Sequence, residues 1–222
     1  MPMPSAYETR SEAFFRLYEG ETPQEIQTLL TRWIPKGSRV LELGCGSGRD
    51  ARFMSGLDAI VEATDGSGPL LKLAEARAQA LLGAESPSFS LLCLPPDKAS
   101  EDALFARLPR FDAVYTCGVL QHLSDHELYE AACFMERAVT DKGTLIVVAP
   151  LDHKGDPDRK TFLRDSLDYA TLFERMGFRL ASQEIRDGVG SPGHECRWAS
   201  CVFLRDSQSE LSNKRFRHIL EK

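Results

Sequence analysis

Through the middle of this chain, mostly apolar runs of five to seven residues alternate with amphipathic stretches. The runs at 39–43, 59–64, 88–93, 111–117 and 144–149 are apolar at successive rather than alternate positions, as in strands covered on both faces. Between them, 49–56, 67–82, 100–107 and 124–138 predict helices. The last is the best delimited: Ser124 and Glu127 form a capping box, and Lys142-Gly143 lies beyond its end. Upstream, 9–19 and 23–34 predict two more helices. Thr22-Pro23-Gln24-Glu25 supplies a cap, a proline at the first helical position and an early acid, and Ile26, Leu29, Leu30 and Trp33 then share one face. Downstream, a polar stretch from Leu151 to Arg164 precedes a helix over 166–176, stopped at Gly177. Two strand-like runs, 178–186 and 196–205, are joined by Asp187-Gly188-Val189-Gly190-Ser191-Pro192-Gly193, where no helix fits, so they are expected to pair antiparallel.

The first apolar run ends in Glu42-Leu43-Gly44-Cys45-Gly46-Ser47-Gly48-Arg49-Asp50, a strand followed by a tight turn and a helix start. Gly44, Gly46 and Gly48 can adopt positive φ and let a nucleoside-type ligand lie against the main chain. Asp65 follows Gly44 by 21 residues, at the end of the second run, where a carboxylate can accept from two ribose hydroxyls. Together these features predict a nucleoside cofactor. A dinucleotide site prefers G-x-G-x-x-G, because a pyrophosphate must reach the helix N-terminus, whereas this loop reads G-x-G-x-G and has Arg49 at the third dinucleotide position. A glycine-rich turn of this kind also occurs in α/β proteins that bind no such ligand.

The shorter glycine spacing, with Glu42 two residues ahead, resembles the first motif of class I S-adenosylmethionine-dependent methyltransferases. The exit of the fourth strand, Cys117-Gly118-Val119-Leu120-Gln121-His122-Leu123, is similar to the V-L-x-H-L post-strand motif of the small-molecule members of that family. The likeness spans residues 37–150, about half of the chain. It implies an α/β fold: a doubly wound, mostly parallel seven-stranded sheet, Rossmann-like, with N-terminal helices and a C-terminal antiparallel hairpin. That hairpin separates it from a six-stranded, all-parallel dinucleotide fold. The resemblance also implies S-adenosylmethionine as cofactor, with Glu42 near its amino end, Gly44 to Gly48 (Cys45 included) under its methionine part, and Asp65 with Gly66 and Ser67 at its ribose. Cys117 and Gly118 would lie against the methionine portion, and Leu120 and His122 would line the pocket near the methyl group. The third strand departs from the family pattern, ending Leu91-Leu92-Cys93-Leu94-Pro95-Pro96-Asp97. Either Asp97 is displaced into the role of holding the adenine amino group or main chain near Leu94 holds the adenine; the alternative for Asp97 is a cap on the next helix.

Methyl transfer from a sulfonium needs a base only if the acceptor must lose a proton. His122 is the candidate, since imidazole titrates near neutrality, and its alternative is a structural role at a helix entrance. Asp152 and His153 either reach the acceptor or belong to a solvated loop. Tyr7, Arg10, Phe14, Phe15 and Tyr18 either close over the cofactor as a lid or pack. In Glu195-Cys196-Arg197-Trp198, Trp198 reads as packing.

At 222 residues the chain is expected to be one domain, with 1–36 as a helical lid, 37–205 as the α/β core and 206–222 as a polar, locally basic tail. The chain stops where a helix in that tail would run on, as in a piece of a longer protein. A net charge of −6 argues against a general nucleic-acid or anionic-membrane binder. No apolar run approaches the ~20 residues that span a bilayer, and the N-terminus lacks the pattern of a signal peptide. The six cysteines include no C-x-x-C pair and read as reduced thiols of a cytoplasmic protein; they, His153 and His194 show no metal-ligand spacing, so no metal is expected. The expected activity is methyl transfer to a small-molecule acceptor. The competing readings are a tRNA or protein methyltransferase, a nicotinamide-dependent oxidoreductase and a non-catalytic binding module.

Overall fold

The computed structural model describes residues 6–20, 24–108, 110–152, 160–190 and 194–205. Its centre is a seven-stranded sheet of β1 (Arg39–Leu43), β2 (Ile60–Asp65), β3 (Ser88–Leu91), β4 (Phe111–Cys117), β5 (Val139–Pro150), β6 (Phe178–Gly190) and β7 (His194–Arg205). The strand order is β3-β2-β1-β4-β5-β7-β6. The first five strands pair in parallel, and β7 lies antiparallel between β5 and β6. The order reverses at β1, so the tips of β1 and β4 flank the switch point where open α/β sheets bind ligands.

The helices are α1 (Ala6–Thr9), α2 (Ser11–Glu19), α3 (Gln24–Trp33), α4 (Arg49–Ser55), α5 (Gly68–Leu82), α6 (Lys98–Arg107), α7 (Asp125–Ala138) and α8 (Ser166–Arg175). Two apolar clusters cover the two sheet faces. One joins Leu41, Leu43 and Val114 to Leu104 of α6, Phe134 of α7 and Phe173 of α8. The other joins Val40, Val61 and Tyr115 to Leu30 of α3, Met54 of α4 and Leu71 of α5. The central strands are therefore buried on both sides, which is why they read as mostly apolar runs rather than alternating ones.

Four boundaries differ from the sequence expectation. The helix expected over 9–19 is two, because Arg10 leaves helical geometry at φ −122°, ψ 28°, and α1 turns back over the sheet tips. Strand β5 begins at Val139, with a register shift between Phe111 and Ala113 absorbing the residues read as a turn at Lys142-Gly143. Strand β3 ends at Leu91 rather than residue 93. The hairpin strands run on to Gly190 and from His194: Gly188 pairs with Cys196 inside the sheet, and a Cβ on it would lie 3.0 Å from Trp198 Cδ1. Glycine there serves a close side-chain approach rather than a turn. The capping box of α7 is formed as expected, and α8 carries a second one between Asp165 and Asp168. The expected cap at Thr22-Pro23, residues 191–193 and the tail 206–222 lie outside the described residues.

Candidate active site

A cavity of about 490 Å³ lies beyond the carboxyl ends of β1, β2, β3 and β4, a size suited to a cofactor or small substrate. Its walls come from the turns after those strands, from the N-terminal helices and from the start of β7.

The turn after β1 hangs from the tip of β2: the amides of Gly44 and Cys45 both donate to Thr64 O at 2.8 Å. Gly44, Gly46 and Gly48 have φ of +73°, +56° and +71°. That is left-handed backbone, which a residue with a Cβ enters at a cost. Their bareness also serves the protein's own packing. A Cβ on Gly44 would overlap the Val119 side chain, one on Gly46 would lie 3.1 Å from the Tyr18 ring, and one on Gly48 would lie 3.0 Å from Phe89. Gly44, Cys45, Gly46 and Ser47 line the cavity. The expectation for Gly48 is corrected: it caps α4 and packs on Phe89 and Ala74, outside the lining.

Asp65 faces inward. Its Oδ2 accepts from the Gly46 amide at 2.9 Å and its Oδ1 from the Ser67 amide at 2.8 Å, clamping the β1 and β2 turns together. Burial raises its pKa, and the amide bonds from Ser67, Gly46 and Gly66 oppose that rise. Ser67 caps α5, accepting from Leu70 N at 3.4 Å. Glu42 is buried on β1 with its Oε2 unpartnered, and burial with repulsion from Asp50 pushes its pKa well above the carboxylate range. Asp50 is engaged by Tyr115 OH at 2.7 Å and by Arg49 Nε at 3.0 Å. Arg49 lines the cavity and donates from Nη1 to Tyr18 O at 3.0 Å, fixing α2 to the glycine turn.

After β4, Cys117, Gly118 and His122 line the cavity. Burial pushes the Cys117 thiol up to about 12 and the Cys45 thiol well above its usual value, so neither is a nucleophile near neutrality. Leu120 departs from expectation: it is 1% exposed and packs into the core beneath the turn, while Gln121 takes the place on the cavity wall. Asp97 also departs. It is exposed, accepts from Ser100 N at 2.7 Å and caps α6, while Leu92, Cys93 and Leu94 line the cavity beside β3. Asp152 is taken up by Arg197, accepting from its amide and its Nε at 2.6 Å each, outside the lining. His153 lies outside the described residues.

Sequence reasoning placed Trp198 in packing, yet it lines the cavity, and a Cβ on Gly118 would lie 3.5 Å from its ring. The pairing of Pro150 with Trp198 brings it there, which follows from strand order and not from any local signal. Arg49 was legible in principle, as the first helical residue after the turn. From the N-terminal segment, Tyr7 and Tyr18 line the cavity, Phe14 is buried between them, and Arg10 lies over the Phe14 ring at 5.2 Å. Glu19 anchors this segment through Arg52 at 2.5 Å and Arg77 at 3.4 Å.

Residues 41–145 match the family model of the methyltransferase domain. With the sheet order and the glycine turn, that match makes this part of the chain similar to the methyltransferase domain of class I S-adenosylmethionine-dependent enzymes. A ubiquinone biosynthesis O-methyltransferase of Thiobacillus denitrificans is 32% identical over 114 residues, 49% of this chain and 46% of that protein. The chain thus matches about half the length of that curated relative. Among solved structures, a TehB-like S-adenosylmethionine-dependent methyltransferase from Corynebacterium glutamicum is similar at TM-score 0.65 and 20% identity, covering 89% of this chain and 99% of that one. A magnesium protoporphyrin IX methyltransferase from Synechocystis, with S-adenosylhomocysteine bound, gives 0.68 and 16% over 90% and 96%. A putative methyltransferase of Haloferax volcanii, complexed with the activator Trm112, gives 0.71 and 15% over 92% and 99%. These likenesses establish the fold. Among the described residues, no helix is long and apolar enough to cross a membrane, and no cluster of three or more His, Cys, Asp or Glu is placed to hold a metal ion.

Proposed function

We propose that the protein transfers the methyl group of S-adenosylmethionine to a small-molecule acceptor within one domain, over which α1 and α2 form a roof. The observation that carries this reading is Glu42 Oε2, a buried carboxylate oxygen with no partner at a cavity wall. A buried charge left unpaired is costly, and a cationic ligand group supplies the missing partner. S-adenosylmethionine brings two positive centres, its amino group and its sulfonium. A pyrophosphate would instead meet the carboxylates of Glu42, Asp50 and Asp65, which disfavours a nicotinamide dinucleotide.

Glu42 and the main chain of Gly44, Cys45 and Gly46 take the amino-acid end of the cofactor, along with Cys117 and Gly118. Asp65, Gly66 and Ser67 take the ribose. When bound, the cofactor supplies a methyl group on a charged sulfur that is its own leaving group. The chain's residues bind, orient and exclude water. The O-methyltransferase relative and the acidic balance of the chain support a small acceptor over a tRNA or protein.

Calorimetry with S-adenosylmethionine and with S-adenosylhomocysteine tests the reading. Micromolar binding, on the order of −8 kcal/mol, is expected; no heat with either compound overturns it. Asp65→Ala is expected to weaken cofactor binding by about 1–3 kcal/mol, through loss of charge-assisted bonds to the ribose and release of the Gly46 and Ser67 amides. Affinity equal to wild type would place the ribose elsewhere.

A further inference from the structure

His122 stands at one end of the cavity with both ring nitrogens engaged. Its Nδ1 lies 2.9 Å from the Lys160 carbonyl oxygen. A carbonyl only accepts, so Nδ1 carries the hydrogen, and in the neutral ring Nε2 is the basic atom. Nε2 lies 3.0 Å from the Tyr7 hydroxyl and 3.3 Å from the Gln121 side-chain nitrogen. That nitrogen also donates to Gly118 O at 2.6 Å. The Tyr7 hydroxyl therefore donates to a base whose tautomer is held by the backbone. The Tyr7 ring meets the imidazole edge-on at 5.7 Å and packs on Phe14 at 4.7 Å. The residue is anchored from the opposite wall, where Ser67 Oγ donates to Tyr7 O at 3.1 Å. A phenol from the roof thus reaches across the cavity from the Asp65 side to the His122 side, 115 residues away in sequence.

We propose that the acceptor is itself a phenol and that Tyr7 stands in its place until it binds, its hydroxyl marking the position of the acceptor oxygen and His122 Nε2 the general base. The inference rests on the methyl-transfer reading above and names the acceptor class for the same site. Proton affinity favours this class. Imidazole titrates near 6.5 and a phenol near 10, a gap of roughly 3.5 pH units; a water-like hydroxyl near 15.7 leaves roughly 9. His122 can take a phenolic proton as the new bond forms and is better matched to it than to the proton of an aliphatic alcohol. In the step, the acceptor O–H bond breaks with its proton going to Nε2, and the oxygen lone pair forms the C–O bond to the methyl carbon. The C–S bond breaks with its electron pair remaining on sulfur as a neutral thioether. The imidazolium then returns the proton to water. Entry of the acceptor moves the Tyr7 side chain off His122, which lowers the apparent affinity by the fraction of molecules in which Tyr7 is seated.

The test uses the full chain, labelled S-adenosylmethionine and four ring-matched acceptors: catechol, aniline, thiophenol and benzyl alcohol. O-methylated catechol is the expected principal product, with benzyl alcohol inert. His122→Gln is expected to lower kcat about 100-fold or more while S-adenosylhomocysteine affinity stays within about twofold. Tyr7→Phe keeps the ring and removes the competing hydroxyl; kcat/KM for catechol is expected to rise about 3–10-fold, through KM. Calorimetry of catechol on the S-adenosylhomocysteine complex of the same two proteins reads the same gain without turnover. Preference for aniline or thiophenol overturns the phenol assignment, as does the absence of any catechol product from protein that binds S-adenosylhomocysteine. A tenfold fall in kcat for Tyr7→Phe overturns the stand-in role and makes Tyr7 a participant in the chemistry. Failure to bind S-adenosylhomocysteine overturns the methyl-transfer reading, and this inference with it.

Discussion

Gly44→Ala is expected to destabilise the protein by about 2–5 kcal/mol, from two contributions that add. The first is backbone strain. Gly44 sits at φ +73°, and left-handed geometry costs a residue with a Cβ about 1–2 kcal/mol. The second is overlap, because the new methyl would enter the space filled by Val119, and overpacking costs about 1–3 kcal/mol. Val119 is β-branched and stiff at χ1, so it cannot swing aside cheaply. Relief by backbone movement is opposed from the other side, where the Gly44 amide is held by Thr64 O at 2.8 Å. For a chain of 222 residues, thermal denaturation should show a fall in Tm of roughly 4–20 °C. Adding Val119→Ala should recover the overlap part and leave the strain part, about half of the loss in all. A single variant melting within a degree or two of wild type would mean that Val119 does not pack on this turn.

Glu42→Gln is expected to act in opposite directions on stability and on cofactor binding. Burial first, and repulsion from Asp50 second, raise the Glu42 pKa well above the carboxylate range. A raised pKa means that the native state holds the proton more tightly than the unfolded chain does. The group's stabilising contribution is therefore complete below its unfolded value. It is lost as pH rises from there through the folded value. Near neutrality and above, the unpartnered carboxylate is a net liability, which an amide removes. Denaturant titration of the apo variant should show a gain of about 1–3 kcal/mol at pH 8, shrinking toward pH 4.5. The same change removes the anion that faces the cofactor's cationic end, so calorimetry should show S-adenosylmethionine binding about 10–100-fold more weakly. A variant no more stable than wild type at pH 8, or one that binds the cofactor equally well, would remove Glu42 from the site. The pair of measurements separates a site residue from a core residue. Loss of a core contact lowers stability and affinity together, whereas removal of a strained functional carboxylate raises one and lowers the other.

Much of the framework was legible along the chain. The five parallel strands announced themselves because helices cover both faces of the central sheet and most positions on its strands are then apolar. The capping box at Ser124, the positive-φ requirement at Gly44, Gly46 and Gly48, and the carboxylate at the tip of β2 are local signals, each written within a few residues. Where reading failed, a local signal had two physical explanations. Gly188 and Gly190 read as a turn, though Gly188 is a strand residue kept bare beneath Trp198. Asp97 read either as an adenine partner or as a cap, and the cap is what the helix start at Lys98 required. Leu120 was expected at the cavity, but the 3-10 turn over Leu120–His122 turns it into the core and leaves Gln121 at the wall.

By itself the sequence determined the alternation of elements, the bend after β1 and the presence of acids at the strand tips, since periodicity, backbone sign and capping are properties of neighbouring residues. Only the tertiary structure decided what meets inside the cavity. Trp198 arrives through antiparallel pairing with β5, Arg49 is turned onto Tyr18, and Tyr7 crosses to His122 over 115 residues of chain. Those meetings depend on strand order and on how α1 folds back across the sheet, and burial of whole faces fixes both.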